Sequence, residues 1–258
     1  MRGSLAVIQL IGIRTKTITV LSQYREKNHM SRSRIRKEAQ KAKGVAVSNP
    51  HRKILQPKSI NQENYIISMV ENDVTVCTGP AGSGKSSVAV GLACNWLLEN
   101  KVEKIIITRP TVENGRGLGY LPGDKDEKIH PYLVPVLEEM EQYLGKMMLT
   151  KFREAGIIEM CPLEYMRGRN FHYSFMILDE AQNATYEQIK MFLTRIGMYS
   201  RAVINGDADQ SDLPMHLRGG LDNVSERLFG LQGVGVCELD ATDIVRNPII
   251  GRMLERLK

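Results

Sequence analysis

One short run limits the folds open to this chain more than any other. Gly79-Pro80-Ala81-Gly82-Ser83-Gly84-Lys85-Ser86 follows an apolar β-branched stretch at 74–78 and precedes a helical pattern at 86–99. Glycines at the first and sixth places, Gly79 and Gly84, let backbone N–H groups turn inward around phosphate oxygens, so a strand can feed a helix through an anion nest. Lys85 then places an ammonium on the outer phosphates and Ser86 offers a hydroxyl to Mg2+. The helix start turns its positive end toward the anion. Residues Gly79, Pro80, Ala81, Gly82, Ser83, Gly84, Lys85, Ser86 and Ser87 are therefore expected to hold ATP, with Lys85 also serving catalysis. A glycine-rich turn with a surface lysine is the competing explanation, and the position of a second motif disfavours it.

From residue 72 onward, β-branched runs at 74–78, 104–108, 157–161, 175–178, 202–205 and 234–239 alternate with helical patterns. This is the pattern of a doubly wound, mostly parallel α/β sheet. Several runs are apolar at almost every position, as strands covered on both faces must be. Helices are expected at 61–71, 86–99, 131–144, 186–195, 220–229 and 248–257, with Pro131 in a first turn and Thr185 as a cap. The second motif, Phe175-Met176-Ile177-Leu178-Asp179-Glu180, is an apolar strand ending in two carboxylates. Asp179 would emerge at the carboxyl edge of the sheet, where it can hold Mg2+ through water, and Glu180 would position or activate the water that attacks the γ-phosphate. A third run ends in Asn205-Gly206-Asp207-Ala208-Asp209-Gln210. There Gln210 can touch the γ-phosphate, with Asp207 supporting the loop or the metal; a polar turn built on Gly206 accounts for the same residues.

Charge is unevenly placed. Residues 1–58 carry 14 Lys and Arg against Glu26 and Glu38, a net +12, whereas the other 200 residues carry 21 basic and 27 acidic, a net −6. The sequence pI of 9.1 thus belongs to an N-terminal extension, expected to be flexible, and not to the domain at 59–258. Its natural partner is a polyanion bound through phosphate contacts, although a solvated leader has the same composition. The apolar stretch at 5–13 lacks a secretion cleavage site, and Met30 is an alternative start. Mean hydropathy of −0.25 calls for no membrane. Cys77, Cys94, Cys161 and Cys237 show no CxxC pairing and are expected as buried free thiols. The Gly/Pro-rich stretch at 109–123 is too long for a simple connection. Its Arg109, Arg116 and Tyr120 suit either a nucleic-acid strand or a neighbouring subunit.

Six blocks occur in order: GPAGSGKS, ITRPTVENGRGLGYLPGD, CPLEYMRGR, FMILDEAQNAT, NGDADQSDLP and DIVRNPII. Together, over about 60–254, they resemble the PhoH family of P-loop ATPases, relatives of superfamily-one helicase cores. The resemblance implies a RecA-like fold, with ATP and Mg2+ as cofactors. It implies Gln62, in INQEN, as the adenine-reading residue and Arg246, in VRNP, as the arginine that approaches the γ-phosphate. It further implies a cytoplasmic, phosphate-starvation-linked ATPase that works on nucleic acid, RNA ahead of DNA. Two mild departures are Asn247, where the family has His, and a less acidic turn at 114–116. No acidic metal cluster beyond the ATP site is apparent, so nuclease activity is not expected.

Superfamily-one motors hydrolyse ATP between two cores, so a chain with one core is expected to borrow the facing wall from a neighbouring copy in a homo-oligomer, with a hexameric ring as one arrangement. Arg246, Arg167, Arg169 or Arg195 could be supplied across that interface, and a local salt bridge is the alternative for each. Two other functions fit the same residues. One is an ATP-dependent regulatory or assembly switch without helicase activity. The other is a small-molecule kinase, against which the Asp179–Glu180 pair argues by favouring water as acceptor.

Overall fold

All six apolar runs become strands of one parallel sheet in the computed structural model, which describes residues 53–110, 125–244 and 256. They are β1 (Val74–Thr78), β2 (Lys104–Thr108), β3 (Ile158–Met160), β4 (Ser174–Leu178), β5 (Arg201–Gly206) and β6 (Val234–Glu238). Their order across the sheet is β3-β2-β4-β5-β1-β6. Parallel neighbours need a crossover. The described crossover helices are α2 (Lys85–Leu98), α3 (Lys125–Leu144), α4 (Lys146–Glu154), α5 (Tyr186–Leu193) and α6 (Gly220–Leu228), with α1 (Ile60–Glu71) ahead of the sheet. The arrangement is a RecA-like, doubly wound α/β domain.

Burial explains the missing alternation in the strand sequences. Every residue of β4 and β5 is buried, as are four of the five in β2, because helices cover both faces. Val76, Ile106, Met176 and Ile204 form the centre of one face, packed on Phe192 and Leu221. On α2, Trp96 meets Phe175 edge-to-face with ring centroids 5.6 Å apart. Gly91 of α2 lets Tyr143 of α3 and Leu55 approach, since an added Cβ would lie 2.7 Å from the Tyr143 hydroxyl.

Capping follows the residue chemistry. Ser59 accepts from the Gln62 N–H to open α1, and Thr185 forms a reciprocal capping box with Gln188 to open α5. Three expectations need correction. Helix α3 begins at Lys125, six residues before Pro131, because Lys125-Asp126-Glu127-Lys128 are helix-compatible residues with no apolar stripe to announce them. Helix α4 was not expected; it buries Leu149 and Phe152 and is separated from α3 by Gly145 alone, at φ 78°. Cys237 is only half-buried, while Cys77, Cys94 and Cys161 are buried as expected. Of the helix expected at 248–257, only Arg256 is described.

The strand order decides where chemistry can occur. β5 lies between β1 and β4, so the carboxyl ends of these three strands open side by side onto Gly79, Asp179 and Asp207.

Candidate nucleotide site

Sequence dictates the loop geometry first. Gly79, Gly82 and Gly84 adopt φ of 149°, 85° and 96°, all in the positive range that L side chains rarely enter. A Cβ on Gly79 would also strike the Leu239 carbonyl at 2.4 Å. The turn closes on itself: Ser83 is fully buried, and its hydroxyl donates to the Pro80 carbonyl at 2.8 Å. Lys85 Nζ donates to the Gly79 and Pro80 carbonyls at 2.5 and 3.0 Å, which holds its ammonium at the loop.

Helix α1 supports that loop through Gln62, which is 3% exposed. Its Nε2 donates to the Ser83 carbonyl at 2.8 Å, and its Oε1 accepts the Lys58 N–H at 2.9 Å. A side-chain amide carries two N–H donors and two lone pairs, so one of each is left for a ligand. Residues 53–58, grouped above with the basic extension, line the same cavity as the loop. Lys53 Nζ reaches Glu139 at 2.5 Å and lies 4.9 Å from the Tyr143 ring centroid. Burial pulls the Lys53 ammonium down, but the Glu139 hydrogen bond and charge outweigh it and raise its pKa above the ordinary lysine value. Ser87 also donates to Glu139, at 2.6 Å, so this expected ATP-binding residue is tied to α3.

The two residues expected to hold a metal, Ser86 and Asp179, meet. Ser86 Oγ donates to Asp179 Oδ1 at 2.6 Å, joining the start of α2 to the end of β4. Asp179 is 2% exposed. Its other oxygen accepts from Arg109, Nε at 3.0 Å and a terminal nitrogen at 2.5 Å. A serine hydroxyl and a carboxylate side by side are hard oxygen donors of the kind Mg2+ takes, usually one or two from protein with phosphates and water completing the shell. These residues fit that ion. Among the described residues, no group of three or more His, Cys, Asp or Glu is placed to hold a metal.

Glu180 follows at φ 57° and ψ 40°, a left-handed conformation costly for a residue with a Cβ, and its side chain is exposed. Gln182 Nε2 donates to its carboxylate at 2.6 Å. Just after β5, Asp207 is buried and its side chain accepts from Asp209 N–H, while Gln210 is exposed on the short helical turn that follows. A cavity of about 580 Å³ brings these groups together. Gln62, Lys85, Ser86, Asp179, Glu180 and Gln210 all line it, and so do Ile54, Leu55 and Pro57.

The expected site residues thus converge, apart from Arg246, which lies outside the described residues together with Arg116 and Tyr120. Among the other arginines considered for a neighbouring site, Arg169 pairs with Glu159 and stacks over Phe171, and Arg195 donates to the Met191 and Arg169 carbonyls. Both are engaged within the chain. Two residues make contacts at this site that the sequence reading did not include. Arg109, assigned above to nucleic acid or a neighbouring subunit, is the partner of Asp179; its place just after β2, next to β4, was the available clue. Gln182 joins Glu180 to β5, and nothing in its local pattern signals that.

The sequence profile described as "PhoH: PhoH-like protein" matches residues 54–258. A PhoH-like protein of Bacillus subtilis (strain 168) is 44% identical over 207 residues, which cover 80% of this chain and 65% of that one. Protein PhoH of Escherichia coli (strain K12) is 38% identical over 195 residues, covering 75% of this chain and 55% of that one. The chain therefore spans less than two thirds of the length of either relative. Among solved structures, the large terminase of a thermophilic bacteriophage aligns with a TM-score of 0.48 and 11% identity, over 79% of this chain and 51% of that one.

Proposed function

The chain belongs to the PhoH family, and from that membership we propose that it is a Mg2+-dependent ATPase whose cycle is coupled to a nucleic-acid strand, RNA ahead of DNA. The single observation that carries the ATPase reading is the Ser86–Asp179 contact of 2.6 Å at the mouth of the glycine loop. It brings the two expected metal-holding groups of separate motifs to one point, beside a lysine and a helix N-terminus.

Each residue then has a task. The amides of 79–84 and the start of α2 receive the phosphates, and Lys85 leaves the Gly79 and Pro80 carbonyls to meet the outer ones. Ser86 and Asp179 would hold Mg2+, which when bound would offset the negative charge that develops on the phosphate oxygens. Glu180, exposed and steadied by Gln182, orients water toward the γ-phosphorus. Gln210 contacts the γ-phosphate from the β5 loop, Gln62 reads the base with its remaining donor and acceptor, and Arg246 completes the phosphate site.

The net +12 of residues 1–58 supports the nucleic-acid part, through phosphate contacts and counterion release. The described residues form one core, and a facing wall on the γ-phosphate side is read as supplied by a second copy in a homo-oligomer. No helix among the described residues is long and apolar enough to cross a membrane.

Steady-state ATP turnover with and without single-stranded RNA or DNA tests this function. Wild type is expected to hydrolyse ATP and to be stimulated by strand, and Glu180→Gln to bind ATP while losing turnover by about 100-fold or more. Full turnover in Glu180→Gln would remove that residue from its role. Turnover indifferent to every strand would favour a nucleotide-dependent switch.

A further inference from the structure

Gln182 is 6% exposed, and its side chain is committed at both ends. Its Nε2 donates to Glu180 Oε2 at 2.6 Å, and its Oε1 accepts the Asp207 N–H at 3.0 Å. Its own carbonyl accepts the Ser211 hydroxyl at 2.8 Å, which ties the same residue to the far side of the β5 loop. The fit is close: a Cβ on Gly206 would lie 3.0 Å from both Gln182 N and Gln182 Oε1.

These contacts form a strut across the carboxyl edge of the sheet. It runs from the carboxylate at the end of β4 to the first amide after β5, and the loop it holds by both ends, 207–211, carries Gln210. An exposed glutamate has several rotamers of similar energy, and a carboxylate that must aim a water at phosphorus loses rate when it wanders by about an ångström. One directed N–H onto Oε2, from a side chain fixed at its other end, removes that freedom.

We propose that Gln182 is a positioning residue for ATP hydrolysis: through the Glu180 carboxylate it fixes the water-directing geometry and couples it to the loop that bears Gln210. This rests on the reading of Glu180 as the water-positioning acid. The coupling has a direction that chemistry can use. Any shift of the Asp207 amide drags Oε1 and with it the Nε2 donor, so contact between Gln210 and a γ-phosphate is felt at Glu180, and release of phosphate relaxes it.

The test is a double-mutant set in the full chain: wild type, Gln182→Ala, Glu180→Gln and Gln182→Ala/Glu180→Gln, with kcat and KM for Mg-ATP, single-turnover hydrolysis, nucleotide affinity and thermal midpoint for each. Gln182→Ala is expected to lower kcat by about 10- to 100-fold. KM and nucleotide affinity should stay within about twofold of wild type, because the hydrogen bonds of Gln182 go to Glu180, Asp207 and Ser211 and not to the glycine loop, Ser86 or Asp179. In the Glu180→Gln background it should change the residual single-turnover rate by less than about twofold, since its effect passes through the carboxylate. A full-sized further loss in that background would overturn the proposal, as would an unchanged kcat in the single variant. Equal loss of nucleotide affinity and kcat, with a lowered midpoint, would overturn it too, by marking a purely structural residue. Gln182→Asn keeps the amide but shortens its reach, and should also lose kcat; wild-type turnover there would contradict a strut of this length. Full turnover in Glu180→Gln alone is a different result: it removes the role of Glu180 on which the proposal stands.

Discussion

The Asp179–Arg109 pair allows a prediction whose size follows from the structure. The Asp179 side chain is 3% exposed and that of Arg109 18%, with the guanidinium giving two hydrogen bonds to one carboxylate oxygen. Arg109→Met keeps most of the apolar stem and deletes the charge, leaving a buried carboxylate that still accepts from Ser86. Removing one partner of a buried ion pair costs about 3–5 kcal/mol. Partial water access to Arg109 and the surviving Ser86 hydrogen bond put this case at the lower end, about 3 kcal/mol. For a chain of this size that lowers the melting midpoint by roughly 6–12 °C. The assay is thermal and urea unfolding in EDTA, without nucleotide, for wild type, Arg109→Met, Asp179→Asn and the double variant. The double variant should recover much of the loss, with a coupling of about 2 kcal/mol, because the uncompensated charge is gone. Added Mg2+ should raise the Arg109→Met midpoint more than that of wild type by supplying the missing positive charge. Additive effects within about 0.5 kcal/mol would refute the pairing energetics.

Three further outcomes are expected. Gly84→Ala forces a side chain into φ 96° and places its Cβ 2.7 Å from Gln62 Nε2, so about 1–2 kcal/mol of backbone strain and a displaced Gln62 should weaken nucleotide binding, read by titration; wild-type affinity would contradict it. Hydrogen bonding from Arg169 holds the Glu159 carboxyl below its ordinary range against the opposing effect of burial. A depressed folded value stabilises above the unfolded carboxylate pKa of about 4.3 and is lost as pH falls through the folded one, so Glu159→Gln should flatten the loss of stability between about pH 5 and 3 while costing under about 1 kcal/mol at pH 7, since both partners are partly exposed. Burial pushes the Cys161 thiol up to about 11, so at pH 8 roughly one molecule in a thousand carries the thiolate there, and alkylation of Cys161 followed by mass spectrometry should proceed only on unfolding; rapid labelling of the native chain would contradict its burial.

Much of the fold was legible in the sequence because the parallel sheet writes itself plainly: runs such as Ile105-Ile106-Ile107 and Phe175-Met176-Ile177-Leu178 are apolar throughout since both faces are covered. The meeting of the glycine loop at Gly79 to Ser86 with Asp179 was equally legible, because the strand ends that carry them converge at one sheet edge. Helix α4 escaped because Lys146 to Glu154 buries only Leu149 and Phe152, too little for periodicity to register. The partners of Asp179 and Glu180 escaped for another reason. Arg109 and Gln182 act through contacts 70 and 25 residues away along the chain, to Asp179 and to the Asp207 amide, and local pattern contains no record of such pairings. Residues 53–58 belong with them: charge composition grouped them with the basic extension, whereas Leu55 packs at Gly91 and Lys53 pairs with Glu139.

The most direct measurement is calorimetric titration of a non-hydrolysable ATP analogue, with and without Mg2+, into wild type and Lys85→Ala. The account predicts one nucleotide per wild-type chain, tighter with Mg2+ than without, and an affinity at least about tenfold weaker in Lys85→Ala, which keeps the fold but removes the ammonium from the glycine loop. Equal binding by both proteins, or no heat of binding to wild type, would contradict it.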